Sequence, residues 1–331
     1  MIVTVTANTA LDVTYRVTEL TLHTSHRVRS VHARAGGKGI NVARVLHALD
    51  HRVLALATVG GATGGAVRRD LGAAGFATAL TTVGGETRRT VTVVDRDATV
   101  FNEPGPTVTG AEWAALLRSY QDHLAAASAV VLSGSLPPGA PRDGYADLAA
   151  RAAAAEVPAV LDAGGAALWH GCAGGPAIVA PNAAELAEAT GCADPLTGAR
   201  VLLRRGARAV VITRGEAGIA AVTGDGIWSA CPPERVTGNP TGAGDAVTAA
   251  LAEAVVAGRP WPERVARAVA LSAAAVGTPS AGEIDTATLV RLEPRVRPEL
   301  LPRETATLPQ APPDIPGHPR GTDDPGSSRC H

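Results

Sequence analysis

Residues 177–213 read AIVAPNAAELAEATGCADPLTGARVLLRRGARAVVIT. Two short apolar runs rich in β-branched side chains, Ala177–Ala180 and Ala209–Thr213, enclose two stretches of helical period, Ala183–Thr190 and Leu196–Arg205. Strands joined through helices are parallel and are covered on both faces, so this stretch predicts an α/β sandwich. The alternation extends outward in both directions. Upstream lie a strand at Ala129–Leu132, a helix at Arg142–Ala155 and a strand at Ala159–Asp162; downstream, Ile219–Val222 and Gly226–Ala230 form a hairpin around Gly224-Asp225-Gly226. Two Ala-rich helices, Ala243–Ala257 and Pro262–Val276, close the domain. At the start of the chain, a strand at Ile2–Thr6 is followed by a glycine turn, a helix carrying Ile40, Val42, Ala43, Val45, Leu46 and Leu49, and a strand at Arg52–Val59.

Two stretches depart from this pattern. Leu11–Arg34, and Arg89–Asp95 with Thr99–Asn102, alternate apolar and polar residues as strands with one solvated face do, and they predict a flap or lid before a helix at about Thr109–Ala126. The expected fold class is α/β, a three-layer α/β/α sandwich with a mostly parallel central sheet and a small β-sheet lid. One domain spans 1–302, with the lid built from about 11–34 and 85–103. Residues 303–331 are rich in Pro, Gly, Ser, Asp and Thr, too poor in apolar surface to offset their ordering entropy, and are expected to be a disordered tail.

The chain has 331 residues, 46% of them apolar, which excludes a disordered or collagenous class. With 30 basic and 31 acidic residues, its net charge of -1 gives no broad attraction to nucleic acid or to an anionic membrane, so any phosphate recognition is local. No apolar run of transmembrane length and no signal-peptide pattern appears, and a soluble, cytoplasmic protein acting on a small molecule is expected. Cys172, Cys192, Cys231 and Cys330 are scattered without C-x-x-C spacing and read as reduced thiols; His23 and His26 read as solvated side chains rather than a metal site. Lys38 is the single lysine among the basic residues, and it sits inside Ala35-Gly36-Gly37-Lys38-Gly39.

The chemistry concentrates in Asn239-Pro240-Thr241-Gly242-Ala243-Gly244-Asp245, a turn opening onto an Ala-rich helix. Gly242 and Gly244 leave room for a phosphate beside Ala243, and the free N–H groups of the helix start point toward it with the positive dipole end behind them. Asp245 in the first turn either accepts a proton from an attacking hydroxyl or merely complements the dipole; the residues alone leave both readings open. A Rossmann dehydrogenase is set aside, because no G-x-G-x-x-G follows the first strand with an acidic residue some 20 positions on.

Five motifs in order resemble the ribokinase and phosphofructokinase-B family of sugar kinases, from residue 1 to about 290. Ala35-Gly36-Gly37-Lys38-Gly39-Ile40-Asn41-Val42-Ala43 is similar to its first signature and Thr241-Gly242-Ala243-Gly244-Asp245 to its second. Ser133-Gly134-Ser135-Leu136-Pro137-Pro138-Gly139 resembles the branch acting on ketohexose monophosphates, that of 1-phosphofructokinase and tagatose-6-phosphate kinase. Pro181-Asn182-Ala183-Ala184-Glu185 resembles the N-x-x-E element, and Thr213-Arg214-Gly215-Glu216-Ala217-Gly218 the nucleotide loop.

The resemblance implies a ribokinase-like fold and ATP-dependent phosphorylation of a hydroxymethyl group on fructose 1-phosphate, tagatose 6-phosphate or fructose 6-phosphate. Asp245 would be the base and Mg2+ would accompany ATP. Asp12 would accept from sugar hydroxyls, where the local alternative is a turn-capping Asp; Gly37 and Asn41 would approach the sugar, and Ser135 would join them. Arg88, Arg27 and Lys38 would face the substrate phosphate, although Lys38 also reads as a solvated lysine at a helix start. Asn182 and Glu185 would hold Mg2+ through water, or form a capping box, or both. Thr213, Gly215 and Gly218 would line the nucleotide. An exposed lid edge implies a homodimer through the lid. Two departures stand out: the branch pattern T-R-x-N-x-K is here Thr87-Arg88-Arg89-Thr90-Val91-Thr92, and Ala180 replaces the usual lysine before Pro181-Asn182. These losses keep open a kinase of a free sugar or nucleoside, and a catalytically silent sugar-phosphate sensor.

Overall fold

In the computed structural model, which describes residues 1–302, the alternation of side chains along each strand decides which helical layer it meets. In chain order the strands are β1 (Ile2–Thr6), β2 (Ala10–Arg16), β3 (Ser30–Gly36), β4 (Val53–Val59), β5 (Ala77–Thr82), β6 (Arg88–Val94) and β7 (Ala98–Asn102). There follow β8 (Ala129–Ser133), β9 (Ala159–Asp162), β10 (Ile178–Val179), β11 (Val210–Thr213), β12 (Ile219–Val222), β13 (Ile227–Ala230) and β14 (Glu299–Leu301). Ten of them form one sheet in the order β14-β13-β12-β11-β10-β9-β8-β1-β4-β5, parallel from β11 through β5 and antiparallel from β11 to β14. Ile2, Val53, Val131 and Val211 face one layer, and their neighbours Val3, Leu54, Val130 and Val210 face the other.

The first layer holds the helices Lys38–Ala48, Ala243–Val256, Trp261–Val276 and Thr286–Leu292; the second holds Gly110–Leu124, Gly144–Ala154, Gly165–Gly171, Ala183–Thr190 and Pro195–Arg204. Both faces of the sheet are therefore dry, which is why its strands read as unbroken apolar runs. The other four strands form a separate small sheet in the order β3-β2-β6-β7, in which β2 pairs with β6 in parallel and the outer pairs are antiparallel. Its outer strands are largely solvated, and Val31, Val100 and Phe101 are exposed. The sequence-derived fold class thus holds, small sheet included.

Some elements escaped the sequence reading for local reasons. Helix Gly61–Gly72 carries glycines at both ends and in its middle, the worst ordinary helix formers, and it is anchored from outside: Glu86 accepts from the backbone N–H groups of Ala62 and Thr63 at its start. Leu11–Arg34 is two strands separated by an irregular connection, not a continuous alternation. The Ala-rich helices do not close the domain. Leu289 and Leu292 of a further helix enter the core, and β14 adds to β13 through Ile227 opposite Leu301 and Trp228 opposite Leu300. The call of a disordered tail at 303–331 lies outside the described residues.

Far from the glycine turns, Glu253 in the long central helix is a buried carboxylate with a dedicated set of partners. Arg267 donates to both of its oxygens at 3.2–3.3 Å and also to Glu293 at 2.7 Å, while Arg259 reaches Glu253 at 3.4 Å. Removing one member leaves buried charge uncompensated, so Glu253→Ala is expected to cost about 3–5 kcal/mol in urea unfolding. A loss under about 1 kcal/mol would show that the network is only a surface decoration.

Candidate active site

Helix Ala243–Val256 is apolar nearly all round and buried in the first layer, so its first turn projects from the packed core. Its cap, Gly242, has φ 91°, and a Cβ there would stand 2.7 Å from Ala281 Cα. Only glycine fits that turn. Gly244 is glycine for another reason: a Cβ there would meet nothing within 4 Å, so its absence leaves the N–H end of the helix open. Asn239 braces the turn, its Oδ1 accepting from Thr241 N–H at 3.0 Å and its Nδ2 donating to the Pro279 carbonyl at 3.3 Å.

Asp245 is 6% exposed, and Asn41 Nδ2 donates to its Oδ2 at 2.9 Å. Burial, then the neighbouring charge of Asp162, push its carboxyl up to about 7, against the opposing pull of Lys38 and the Asn41 amide. A residue serving only the helix dipole gains most where it stays ionised and wet. This one is dry and raised toward neutrality.

Lys38 opens the helix that follows Gly37, whose φ of 103° makes the turn out of β3. Its Nζ donates to Asp162 Oδ1 at 2.8 Å and to Glu185 Oε1 at 3.0 Å, and Ser133 Oγ donates to the second Asp162 oxygen at 3.0 Å. Burial alone would lower the lysine, but the charges of Asp162, Glu185 and Asp245 overcome it and hold the ammonium above its ordinary range. Lys38 is thus ion-paired to two carboxylates while its side chain stays 36% exposed. Asn182 and Glu185 do form a capping box: Asn182 Oδ1 accepts from Glu185 N–H at 2.8 Å and Glu185 Oε2 from Asn182 N–H at 2.9 Å. Asn182 also bridges in parallel to Thr213, which places the loop Thr213–Gly218 beside it; Gly215 and Gly218 both have positive φ there, and Arg214 N–H closes the loop on the Gly218 carbonyl at 2.9 Å.

On the other side of the Gly36-Gly37 turn lies the end of the small sheet. Asp12 packs against Gly36 so closely that a Cβ on Gly36 would overlap its carboxyl. Burial raises the Asp12 carboxyl, opposed by Arg88, by a hydrogen bond from Thr90 and by Arg34 and Arg44. Arg88 donates from Nε to the Asn8 carbonyl at 3.1 Å and from a terminal nitrogen to Thr90 Oγ1 at 3.2 Å. Asn8 Nδ2 in turn donates to Ser135 Oγ at 3.0 Å.

The fold thus brings Asp12, Gly37, Lys38, Asn41, Arg88, Ser135, Asn182, Glu185 and Asp245 to the ends of β1, β2, β8, β9 and β10 around the two glycine turns. Arg27 is exposed in the connection between β2 and β3 and, among the described residues, is not brought to this cluster. Asp162 and Asn8 were missed. A carboxylate as the last residue of a parallel strand, just before Gly164-Gly165, is the signal that would have found Asp162. Among the described residues no cluster of three or more His, Cys, Asp or Glu side chains is arranged to hold a metal directly, and Cys172, Cys192 and Cys231 are free thiols.

The strand ends of the doubly covered sheet converge here on an open helix start with a dry carboxylate beside it, an arrangement suited to an anion. The model of the pfkB family of carbohydrate kinases matches residues 3–288, and the chain belongs to that family, an ATP-dependent carbohydrate kinase. Its relatives include a 1-phosphofructokinase from Xanthomonas campestris pv. campestris, 37% identical over 272 residues, covering 77% of this chain and 84% of the relative. Among solved structures, one of a possible 1-phosphofructokinase from Thermotoga maritima superposes with a TM-score of 0.82 at 24% identity, over 91% of this chain and 99% of that one. A structure from Staphylococcus aureus, named as that of a putative phosphofructokinase, has a TM-score of 0.76 at 26% identity, over 92% of this chain and 100% of that one.

The open space at Gly244 gives a sharp test. Gly244→Ala adds a good helix former where nothing clashes, so the melting temperature should hold or rise, while a methyl group in front of the helix N–H groups should lower kcat by roughly 10²-fold. Full activity in Gly244→Ala would mean that no phosphoryl group occupies that space.

Proposed function

We propose that this kinase transfers the terminal phosphoryl group of ATP to a hydroxymethyl group of a ketohexose monophosphate, with fructose 1-phosphate first and tagatose 6-phosphate or fructose 6-phosphate next, yielding a bisphosphate. The observation that carries the reading is Asp245, a buried carboxylate raised to about 7, in the first turn of a helix whose N–H end is left open by Gly244. In the ground state Asp12 and Asn41 orient the sugar hydroxyls, and Asp245 takes the proton of the attacking hydroxyl as the phosphoryl group passes in line to it. The N–H groups at Gly242, Ala243 and Gly244 hold the oxygens of the group in transit, where preformed donors cost no reorganisation. Thr213, Gly215 and Gly218 line the nucleotide.

Asn182 and Glu185 would hold a divalent cation through water, because their oxygens are hard donors of the kind such an ion takes. Mg2+ bound there would screen the charge on the phosphate oxygens. A homodimer through the small sheet agrees with the exposed Val31, Val100 and Phe101. A cytoplasmic setting agrees with free thiols and with the lack, among the described residues, of a helix able to cross a membrane.

Two features support a phosphorylated acceptor: the 37% identical 1-phosphofructokinase, and the guanidinium of Arg88, the cation that acts most strongly on Asp12. Lys38 is shared between two carboxylates and Arg27 is exposed, which makes Arg88 the best partner for the substrate phosphate. Two parallel charge-assisted hydrogen bonds are worth on the order of 1.5–3 kcal/mol, so Arg88→Ala should lower kcat/KM for the sugar phosphate by roughly 10- to 100-fold and barely touch a free sugar. ATP turnover against a panel of free and phosphorylated sugars, with both proteins, is the measurement. Preference of the wild type for a free sugar or nucleoside, or an equal effect of Arg88→Ala on both kinds, would replace this reading by a ribokinase-like one; no turnover of any sugar would favour a silent sensor.

A further inference from the structure

Strand β3 runs from the small sheet directly into the Gly36-Gly37 turn, and its Arg34 stands opposite Asp12 in the β2–β3 register. The Arg34 side chain is only 14% exposed, and its guanidinium donates to Glu283 Oε1, on a side chain 43% exposed, at 2.8 Å. Glu283 belongs to segment 278–285, which links helices Trp261–Val276 and Thr286–Leu292. That segment is a wedge between the two halves of the site. At Gly282, φ 79°, an added Cβ would stand 3.1 Å from Asn41 Cα and 3.2 Å from Arg44 Cδ, so the wedge lies against the helix that carries Asn41. Its Ala281 backbone fills the space beside Gly242, and its Pro279 carbonyl accepts from Asn239 in the turn before the open helix start.

The wedge does not need Glu283 to keep its shape. Thr278 Oγ1 donates to the Ala275 carbonyl at 2.7 Å and Asp285 N–H to the Ala274 carbonyl at 3.0 Å, fastening both ends to the preceding helix. The Arg34–Glu283 pair does something those bonds do not: it connects the strand beside Asp12, on the sugar side, to the support of the turn on the phosphate side.

We propose that Arg34 and Glu283 are a positioning pair that makes sugar binding at the small sheet and nucleotide-phosphate binding at the Gly242–Gly244 turn reinforce each other. The idea rests on the kinase reading above, since it needs two substrates, but not on which sugar is bound. Sugar that settles the small sheet fixes Arg34, Arg34 fixes Glu283, and the wedge then holds Asn41 and the Gly242 turn in register. By linkage the effect is reciprocal. A half-exposed ion pair sets its scale at roughly 3- to 5-fold in affinity.

The test is calorimetric titration of the full chain with its accepted sugar, with and without the β,γ-imido analogue of ATP, in the presence of Mg2+. The sugar is whichever member of the panel the wild type turns over best, so a wrong substrate assignment is revealed by the panel and a wrong pair by the titration. The wild type should bind sugar more tightly when the analogue is present. Glu283→Gln should keep the melting temperature and the affinity for each ligand alone while losing about 3- to 5-fold of this synergy. A wild type without synergy, or a Glu283→Gln protein that retains it, would overturn the proposal.

Discussion

The site depends on one buried contact, the carboxylate of Asp245 against the amide of Asn41. To make it, two helices of the first layer must start at the same level above the sheet, and each begins at a glycine with positive φ, Gly37 and Gly242. The contact sits where water is excluded, and that exclusion raises the acid. An ion that had only to complement a helix start would be better left in solvent, so the geometry keeps this carboxylate dry at a cost in stability. The apolar, Ala-rich body of helix Ala243–Val256 makes that cost bearable, because it fixes the helix from every side.

Around this contact the charges form a chain rather than a cluster. Lys38 lies between Asp162 and Glu185, Asp162 raises Asp245, and Arg88 and Arg34 oppose the burial of Asp12. In a chain whose other 29 Lys and Arg residues are all arginine, the lone lysine sits where a compact point charge fits between two carboxylates. Asn182 and Glu185 realise the capping-box reading of their motif. Their capping box fixes both side chains, and Glu185 still presents its other oxygen to Lys38.

How much of this was legible depended on whether the signal was local. The buried strands announced themselves because both faces of the sheet are dry, and helix Ala183–Thr190 carries its own cap. Helix Gly61–Gly72 did not, since its anchor, Glu86, arrives from beyond the next strand. The same holds in the site. Asp245, Asn41 and Lys38 stand in compact glycine motifs, whereas Asp162 ends a strand with no motif of its own and acquires meaning only through Lys38, distant in sequence. Arg34 and Glu283 are further apart still, and neither residue type nor spacing marks them as partners.

The account stands on the raised acid, and the pH dependence of kcat/KM tests it most directly. With Asp245 as the base, activity requires the ionised form, so kcat/KM should fall as the pH drops through about 7. The second ionisation of a sugar-phosphate acceptor lies near pH 6 and would be common to every variant. Asn41→Leu separates the two, because losing the amide donor removes support for the ionised carboxylate and must shift the Asp245 limb to higher pH while leaving the substrate's limb in place. A wild-type profile that stays flat down to pH 5, or a limb that does not move in Asn41→Leu, would contradict the claim that a buried Asp245 accepts the proton.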